Sequence, residues 1–207
     1  MNLFILTGAI FSAIYGFITV LKPKVPLFYK IIFYGFGSYL LAVCYSLLYS
    51  ALMPDASGFH AGYWGYAGLF FFLFSSYYGA MDRLADNGES QYNKYRILAG
   101  IPASLIIISG ISKILNGSAA FEQLFLIPVA GTAYFSCKHL IFPDIDMGII
   151  RVMRKYNAVI LCLCLIQPWS MVTVVEIGQA PVAAALNTFL VILALPLADR
   201  GYRKWFI

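Results

Sequence analysis

Residues 28–52 read FYKIIFYGFGSYLLAVCYSLLYSAL, a run in which Lys30 is the single charge. About 20 consecutive apolar residues in a helix reach across the hydrocarbon of a bilayer. A buried helix of a soluble domain has no need of a run this long. The same pattern recurs along the chain, in 2–21, 61–81, 97–115, 121–140, 156–177 and 180–198. Charges in these stretches fall near the ends: Lys113, Glu122, Lys138 with His139, and Glu176. Long side chains there can extend to the headgroups.

Composition agrees. Of 207 residues, 61% are hydrophobic, 17% aromatic and only 11% charged. A soluble domain carries about a quarter charged residues, so this chain cannot cover a globular surface with polar groups. That excludes an ordinary cytosolic enzyme, a disordered chain and a nucleic-acid binder. Four cysteines are too sparse for a disulfide scaffold. The expected fold is an all-α integral membrane protein, a seven-transmembrane-helix bundle forming one membrane domain over 1–207. The first stretch is read as a retained anchor, because its basic cluster follows the apolar run instead of preceding it.

Lys and Arg give the orientation. Thirteen of the 14 fall in alternate connections and the tail: Lys22, Lys24, Lys30, then Arg83, Lys94, Arg96, then Lys138, Arg151, Arg154, Lys155, then Arg200, Arg203, Lys204. The positive-inside rule puts this side in the cytoplasm, with the N-terminus outside and the C-terminus inside. The formal net charge of +5 is then a topology signal. The expected location is a bacterial inner (plasma) membrane. Residues 148–156 have two readings: an interfacial amphipathic helix, with Ile149, Ile150, Val152 and Met153 toward lipid, or an extension of the sixth span.

Small residues mark helix contacts in membranes. They line up as Gly8, Ser12 and Gly16, as Gly62, Gly65 and Gly68, and as Gly100 and Ser104. Tyr63-Trp64 and Tyr77-Tyr78 read as interface belts. Pro102, Pro128, Pro168 and Pro196 fall inside spans, each expected to remove a backbone donor and kink its helix.

Polar groups at membrane depth are the default functional candidates. Gln167, Trp169, Ser170 and Asn187, with Ser12 and Tyr15 of the first span and Ser46 and Tyr49 of the second, are the candidate ligand-binding set. They would form a neutral cavity for a small polar or amphipathic solute, or hydrogen-bond only to each other. No catalytic residue, metal site or cofactor is expected. There are two histidines and no H-x-x-x-H pair, no mid-span aspartate pair, no G-x-S-x-G, and no lysine in the seventh span. Asp82-Arg83 and Asp199-Arg200 read as solvated flanks or as local salt bridges.

The chain also shows faint self-similarity. Shifted by about 120 residues, Ala13, Pro23, Cys44 and Ser50 meet Ala133, Pro143, Cys164 and Ser170; shifted by 117, Asp82-Arg83 meet Asp199-Arg200. A three-plus-one-plus-three arrangement is the expected consequence. With Pro23 to Tyr29 closing the first span, and Trp169 and Asn187 in spans six and seven, this layout resembles that of SWEET and PQ-loop transporters. The resemblance implies a solute site lined by helices six and seven, where Trp169 and Asn187 fall. It stops at the layout: span two has no internal proline, span three no partner asparagine, and no Pro-Gln pair occurs.

Three functions are therefore expected in order: a transporter or facilitator of a small neutral polar or amphipathic solute, a membrane sensor or accessory subunit, and a lipid-modifying enzyme built around Lys138, His139, Asp144 and Asp146. The partners are the lipid bilayer, a small-molecule ligand, and a second copy or another membrane protein, with no nucleic acid.

Overall fold

A computed structural model describes residues 2–53, 60–118, 120–143, 148–173 and 180–205, with the side chains of 2, 3, 121, 122, 168–173, 180 and 181 left out. The chain runs through α1 (Asn2–Val20), α2 (Leu27–Leu52) and α3 (Gly62–Ser76). A π-helical turn (Tyr77–Met81) leads into α4 (Asp82–Ala85), and a 3-10 turn (Ser90–Tyr92) into α5 (Asn93–Leu115). Then come α6 (Ala120–Gln123), α7 (Leu126–Ile141), α8 (Ile149–Thr173) and α9 (Ala180–Trp205). Among the described residues there is no strand.

Three helices are long and apolar enough to cross a membrane: Leu27–Leu52, Ser90–Leu115 and Val182–Trp205; Phe4–Val20 is a shorter apolar helix. Their outward faces are apolar, with Leu48, Ile101, Ile108, Val182 and Phe189 all exposed, as is Phe71 of α3. Exposed apolar side chains on this scale mark a surface meant for a non-aqueous medium.

Neighbours in the sequence are neighbours in space. α1 packs between α2 and α9, α2 on α3, α3 on α7, α7 on α8, and α8 on α9, which closes a ring. α5 lies outside the ring, mainly against α7. Inside the ring the packing is aromatic and branched: Tyr29, Ile32, Phe36, Leu73, Tyr77, Tyr156, Ile160, Leu163 and Leu195 are all buried.

Small residues set the helix spacing. The Gly8–Ser12–Gly16 stripe of α1 meets Thr188, the carbonyl of Val191 and Leu195 of α9. On α3, a Cβ at Gly65 would sit 2.7 Å from that of Ala42 and 3.0 Å from the Ser38 carbonyl. α2 and α3 thus touch backbone to backbone. Gly100 and Ser104 differ from expectation. Nothing packs on Gly100, and Ser104 is exposed. α5 is peripheral and turns the Ala99–Ala103–Ile106–Gly110 face inward, with Gly110 under Leu126.

Other sequence expectations are also revised. The fifth span is not one helix: α6 ends at Gln123 and α7 begins at Leu126. Pro128 therefore lies in the first turn of α7, where no backbone donor is lost, and the Leu124 carbonyl accepts from Ile127 N–H at 3.1 Å. Pro102 and Pro196 do lie within helices, while the side chain of Pro168 is outside the described residues. Residues 149–156 continue directly into α8, and Ile149, Ile150 and Met153 are buried against protein instead of facing lipid. α9 runs on through Trp205, and Asp199 pairs with Arg203 one turn later within it. Tyr77 does not join an interface belt. It is fully buried, whereas Tyr78 and Trp64 are exposed.

The close approach of α2 and α3 predicts that Gly65→Leu lowers stability by about 1–3 kcal/mol, the range for overpacking. Gly37→Leu, whose Cβ meets nothing within 4 Å, should leave the melting temperature in detergent unchanged. Equal melting temperatures for the two variants would refute this account of the interface.

Candidate functional site

Two polar layers interrupt the apolar interior. One joins three helices through neutral groups. Gln167 of α8 donates from Nε2 to Asn187 Oδ1 of α9 at 3.0 Å, and Asn187 Nδ2 donates to the Tyr39 hydroxyl of α2 at 2.7 Å. All three side chains are buried, and the Tyr66 ring meets Tyr39 edge-on at 5.5 Å. Gln167 and Asn187 are site residues that the sequence singles out. Tyr39 is not, because a tyrosine in an aromatic-rich span looks like its neighbours.

Of the remaining candidates, Ser46 hydrogen-bonds Tyr66 beside this layer, and the others lie elsewhere. Ser12 donates to the Val191 carbonyl at 2.7 Å and Ser46 to the Ala42 carbonyl at 2.8 Å. Tyr15 donates to Asp199 Oδ2 at 3.1 Å, toward the other end of α9. Tyr49 stacks near His60, ring centres 4.7 Å apart, in an aromatic group with Tyr45 and Tyr63. Burial lowers the His60 pKa. The side chains of Trp169 and Ser170 are outside the described residues.

The second layer is charged and gathers five residues. The π-turn carries α3 past Tyr77 and Met81, both buried, and delivers Asp82 toward α7. Lys138 Nζ lies 2.7 Å from Asp82 Oδ1 and 2.7 Å from Asp86 Oδ2. His139 Nε2 lies 3.1 Å from the same Asp82 oxygen. Arg96, at the start of α5, grips Asp86 with two donors, Nε to Oδ2 at 2.8 Å and Nη2 to Oδ1 at 2.5 Å. Lys138 also lies over the Phe135 and Phe142 rings, 5.9 and 5.6 Å from their centres. Its side chain is only 5% exposed, so its charge is balanced inside the protein.

Below this cluster the Tyr77 ring meets His139 edge-on at 5.3 Å, and its hydroxyl donates to Asn157 Oδ1 at 2.8 Å. Burial opposes the Asp82 carboxylate, but hydrogen bonds from His139 and Lys138 outweigh it and hold the carboxyl below its ordinary value. The Arg96 guanidinium holds the Asp86 carboxyl well below the usual range, against burial and with help from Lys138 and the Gly88 N–H. Asp199 is likewise buried, bonded to Tyr15 and to Arg203 Nε at 2.8 Å.

Asp82 and Asp199 are thus tertiary ties, not solvated flanks, and their partners come from other helices or the next turn. The sequence carries half of the signal: Lys138 and His139 sit before an apolar Leu-Ile-Phe end, but their acidic partners Asp82 and Asp86 come from a distant part of the chain. Asp144 and Asp146, considered with Lys138 and His139 for lipid chemistry, are outside the described residues. Among the described residues no group of three or more His, Cys, Asp or Glu is placed to hold a metal ion.

Removing one member of a buried ion group leaves the others uncompensated. Lys138→Met should destabilise the protein by about 2–4 kcal/mol, and Asp82→Asn in the same chain should restore part of it, because Asp86 keeps its Arg96 partner. The depressed Asp86 carboxyl stabilises the fold above its unfolded pKa, near 3.8, and that contribution fades as pH falls toward the folded value. The melting temperature should be level above about pH 5 and fall below it. Asp86→Asn should melt lower at neutral pH and with a shallower acid slope. Unchanged acid slopes in Asp86→Asn would refute the assignment.

No protein-family model, curated protein or solved structure matches this chain.

Proposed function

We propose that the chain crosses the plasma membrane seven times, N-terminus outside and C-terminus in the cytoplasm, and is a transporter or facilitator of a small neutral polar or amphipathic solute. The observation that carries this reading is the Tyr39–Asn187–Gln167 chain, a buried neutral hydrogen-bonded set drawn from three helices. A neutral hydrogen bond contributes about 0.5–1.5 kcal/mol net. A solute hydroxyl or carbonyl can therefore replace one of these bonds at little cost, and leave as easily.

The packing supports a three-plus-one-plus-three layout. α1–α3 and α7–α9 form the ring, and α5 stays outside as the fourth element. Both seams between the groups carry related ties. Ser12 on α1 bonds the Val191 carbonyl on α9, and Thr132 on α7 bonds the Phe70 carbonyl on α3. The two hydroxyls are 120 residues apart and the two carbonyls 121. Asp82 and Asp199, 117 apart, each tie across a seam at the same end, to Lys138 and to Tyr15. In the proposed orientation that end is cytoplasmic, and its ion pairs hold the inner side shut.

An accessory or sensor role is the second reading. It is favoured by an open apolar groove of about 740 Å³ on the outer face of α1, α2 and α3, a surface another membrane component can occupy.

A thermal-shift screen of small solutes against the purified protein separates the two. The transport reading expects a solute that raises the melting temperature of the wild type and loses its effect in Asn187→Ala, with uptake into proteoliposomes failing in the same variant. Stabilisation scales as RT ln(1 + [L]/Kd), about 2.7 kcal/mol at a hundredfold excess over Kd. A solute that shifts both proteins equally would remove Asn187 from the site.

A further inference from the structure

The groove on α1, α2 and α3 has one chemically distinct end. Its walls include Ile14 and Phe17 of α1, Phe33, Tyr34 and Leu41 of α2, and Phe72 of α3. Along α2, Lys30, Tyr34, Gly37 and Leu41 are spaced by four, three and four residues, so they share one helical face. Gly37 leaves open space where a side chain would stand, which gives the groove its depth. Lys30 lies one turn beyond Tyr34, at the end where α1 passes into α2 through Lys22 and Lys24.

That end is cationic, and the carboxylate at the same end of α1, Asp199, is already bonded to Tyr15 and Arg203. The first acidic residue of the chain is Asp55. Among the described residues, no carboxylate pairs with Lys22, Lys24 or Lys30. Lys24 is held with a positive φ of 62°, so the connection presents its lysines in a fixed turn. Pro23 and Pro26 fix the flanking backbone. An apolar groove on the helix face that carries Lys30, beside the connection that carries Lys22 and Lys24, suits an acyl chain joined to an anionic headgroup.

We propose that this groove is a binding site for an anionic phospholipid, with an acyl chain along the Leu41–Gly37–Tyr34 face and the phosphate on Lys22, Lys24 and Lys30. The Tyr34 ring, 6.4 Å from Phe72 between centres, walls the channel just above the phosphate. Three lysines distinguish a phosphatidylglycerol from a phosphatidylcholine of equal chain length, because only the first carries net charge. Each lysine near the headgroups contributes about a fivefold preference.

Delipidated protein in neutral detergent is titrated with palmitoyl-oleoyl phosphatidylglycerol and with the matching phosphatidylcholine, and bound lipid is counted by native mass spectrometry. The wild type should prefer phosphatidylglycerol. Lys22→Gln, Lys24→Gln and Lys30→Gln together should abolish the preference while leaving residual binding of both lipids. Gly37→Phe, which fills the channel, should weaken both lipids several-fold, and Leu41→Ala, at an exposed wall position, should do so to a lesser degree without burdening the fold. Equal binding of the two lipids to the wild type, or a preference that survives the triple change, overturns the headgroup seat. Binding untouched by both Gly37→Phe and Leu41→Ala overturns the channel seat. A lipid-independent dimer that Gly37→Phe dissociates would assign the groove to a second copy of the chain and overturn the proposal.

Discussion

The ammonium of Lys138, 2.7 Å from a carboxylate oxygen on each of Asp82 and Asp86, sets the arrangement of one whole end of the molecule. A lone charge taken out of water costs several kcal/mol, and attraction to a partner offsets this only when geometry is close and the remaining donors are used. Here α3 has to reach α7, and the π-turn at Tyr77–Met81 supplies the reach. One extra residue in that turn shifts the helical register, which leaves Tyr77 and Met81 facing the core and Asp82 facing Lys138. Asp86 then draws in Arg96, so the peripheral α5 is tied to the ring at its first turn. Phe142 closes the site beneath Tyr92 and Tyr95, ring centres 5.2 and 5.9 Å away.

The neutral layer obeys the same rule at lower stakes. Gln167 and Asn157 lie ten residues apart on α8, so the neutral layer stands about 15 Å along the axis from the Tyr77–Asn157 bond beneath the charged layer. Between them stand Ile160, Leu163 and Cys164, all fully buried. Amides and phenols can change partners for a fraction of what it costs to separate a lysine from two carboxylates. The bundle therefore has an exchangeable level and a locked level. Parting α3 from α7 at the locked end requires its ions to find water or other partners, whereas the Tyr39–Asn187–Gln167 level can rearrange within the protein.

Helix positions are legible in the sequence because the length of an uncharged run is a one-dimensional property. α1, α2 and α5 begin and end within a few residues of their apolar runs. Features that depend on three dimensions are less legible. Lys138 and His139 read as a span edge, since periodicity cannot show that Asp82, 56 residues before Lys138, lies beside them. Tyr77 and Tyr78 are adjacent and chemically identical, and only the helix phase buries one and exposes the other. The Gly100–Ser104 pair has the right spacing on the wrong face, because spacing reports a stripe but not what stands opposite. In the candidate site, Gln167 and Asn187 stand out by polarity alone. Tyr39 needs the structure, because its hydroxyl matters only through the amide it receives.

In the proposed two-group layout, the seams α1–α9 and α3–α7 combine near-equivalence with difference. The hydroxyl-to-carbonyl ties of Ser12 and Thr132 are matched in type, in burial and in sequence offset. The acidic ties are matched only on the acidic side. Asp82 meets a lysine and a histidine from another helix, while Asp199 meets a tyrosine across the seam and an arginine on its own helix. The α3–α7 seam is thus clamped by opposite charges from different helices. Among the described residues, the side-chain hydrogen bond across the α1–α9 seam at this end comes from the Tyr15 phenol, because Arg203 stays with α9 whether or not α1 moves. If the two groups shift against each other, the cheaper separation at this end is between α1 and α9, and the α3–α7 contact is the one that stays closed as the hinge.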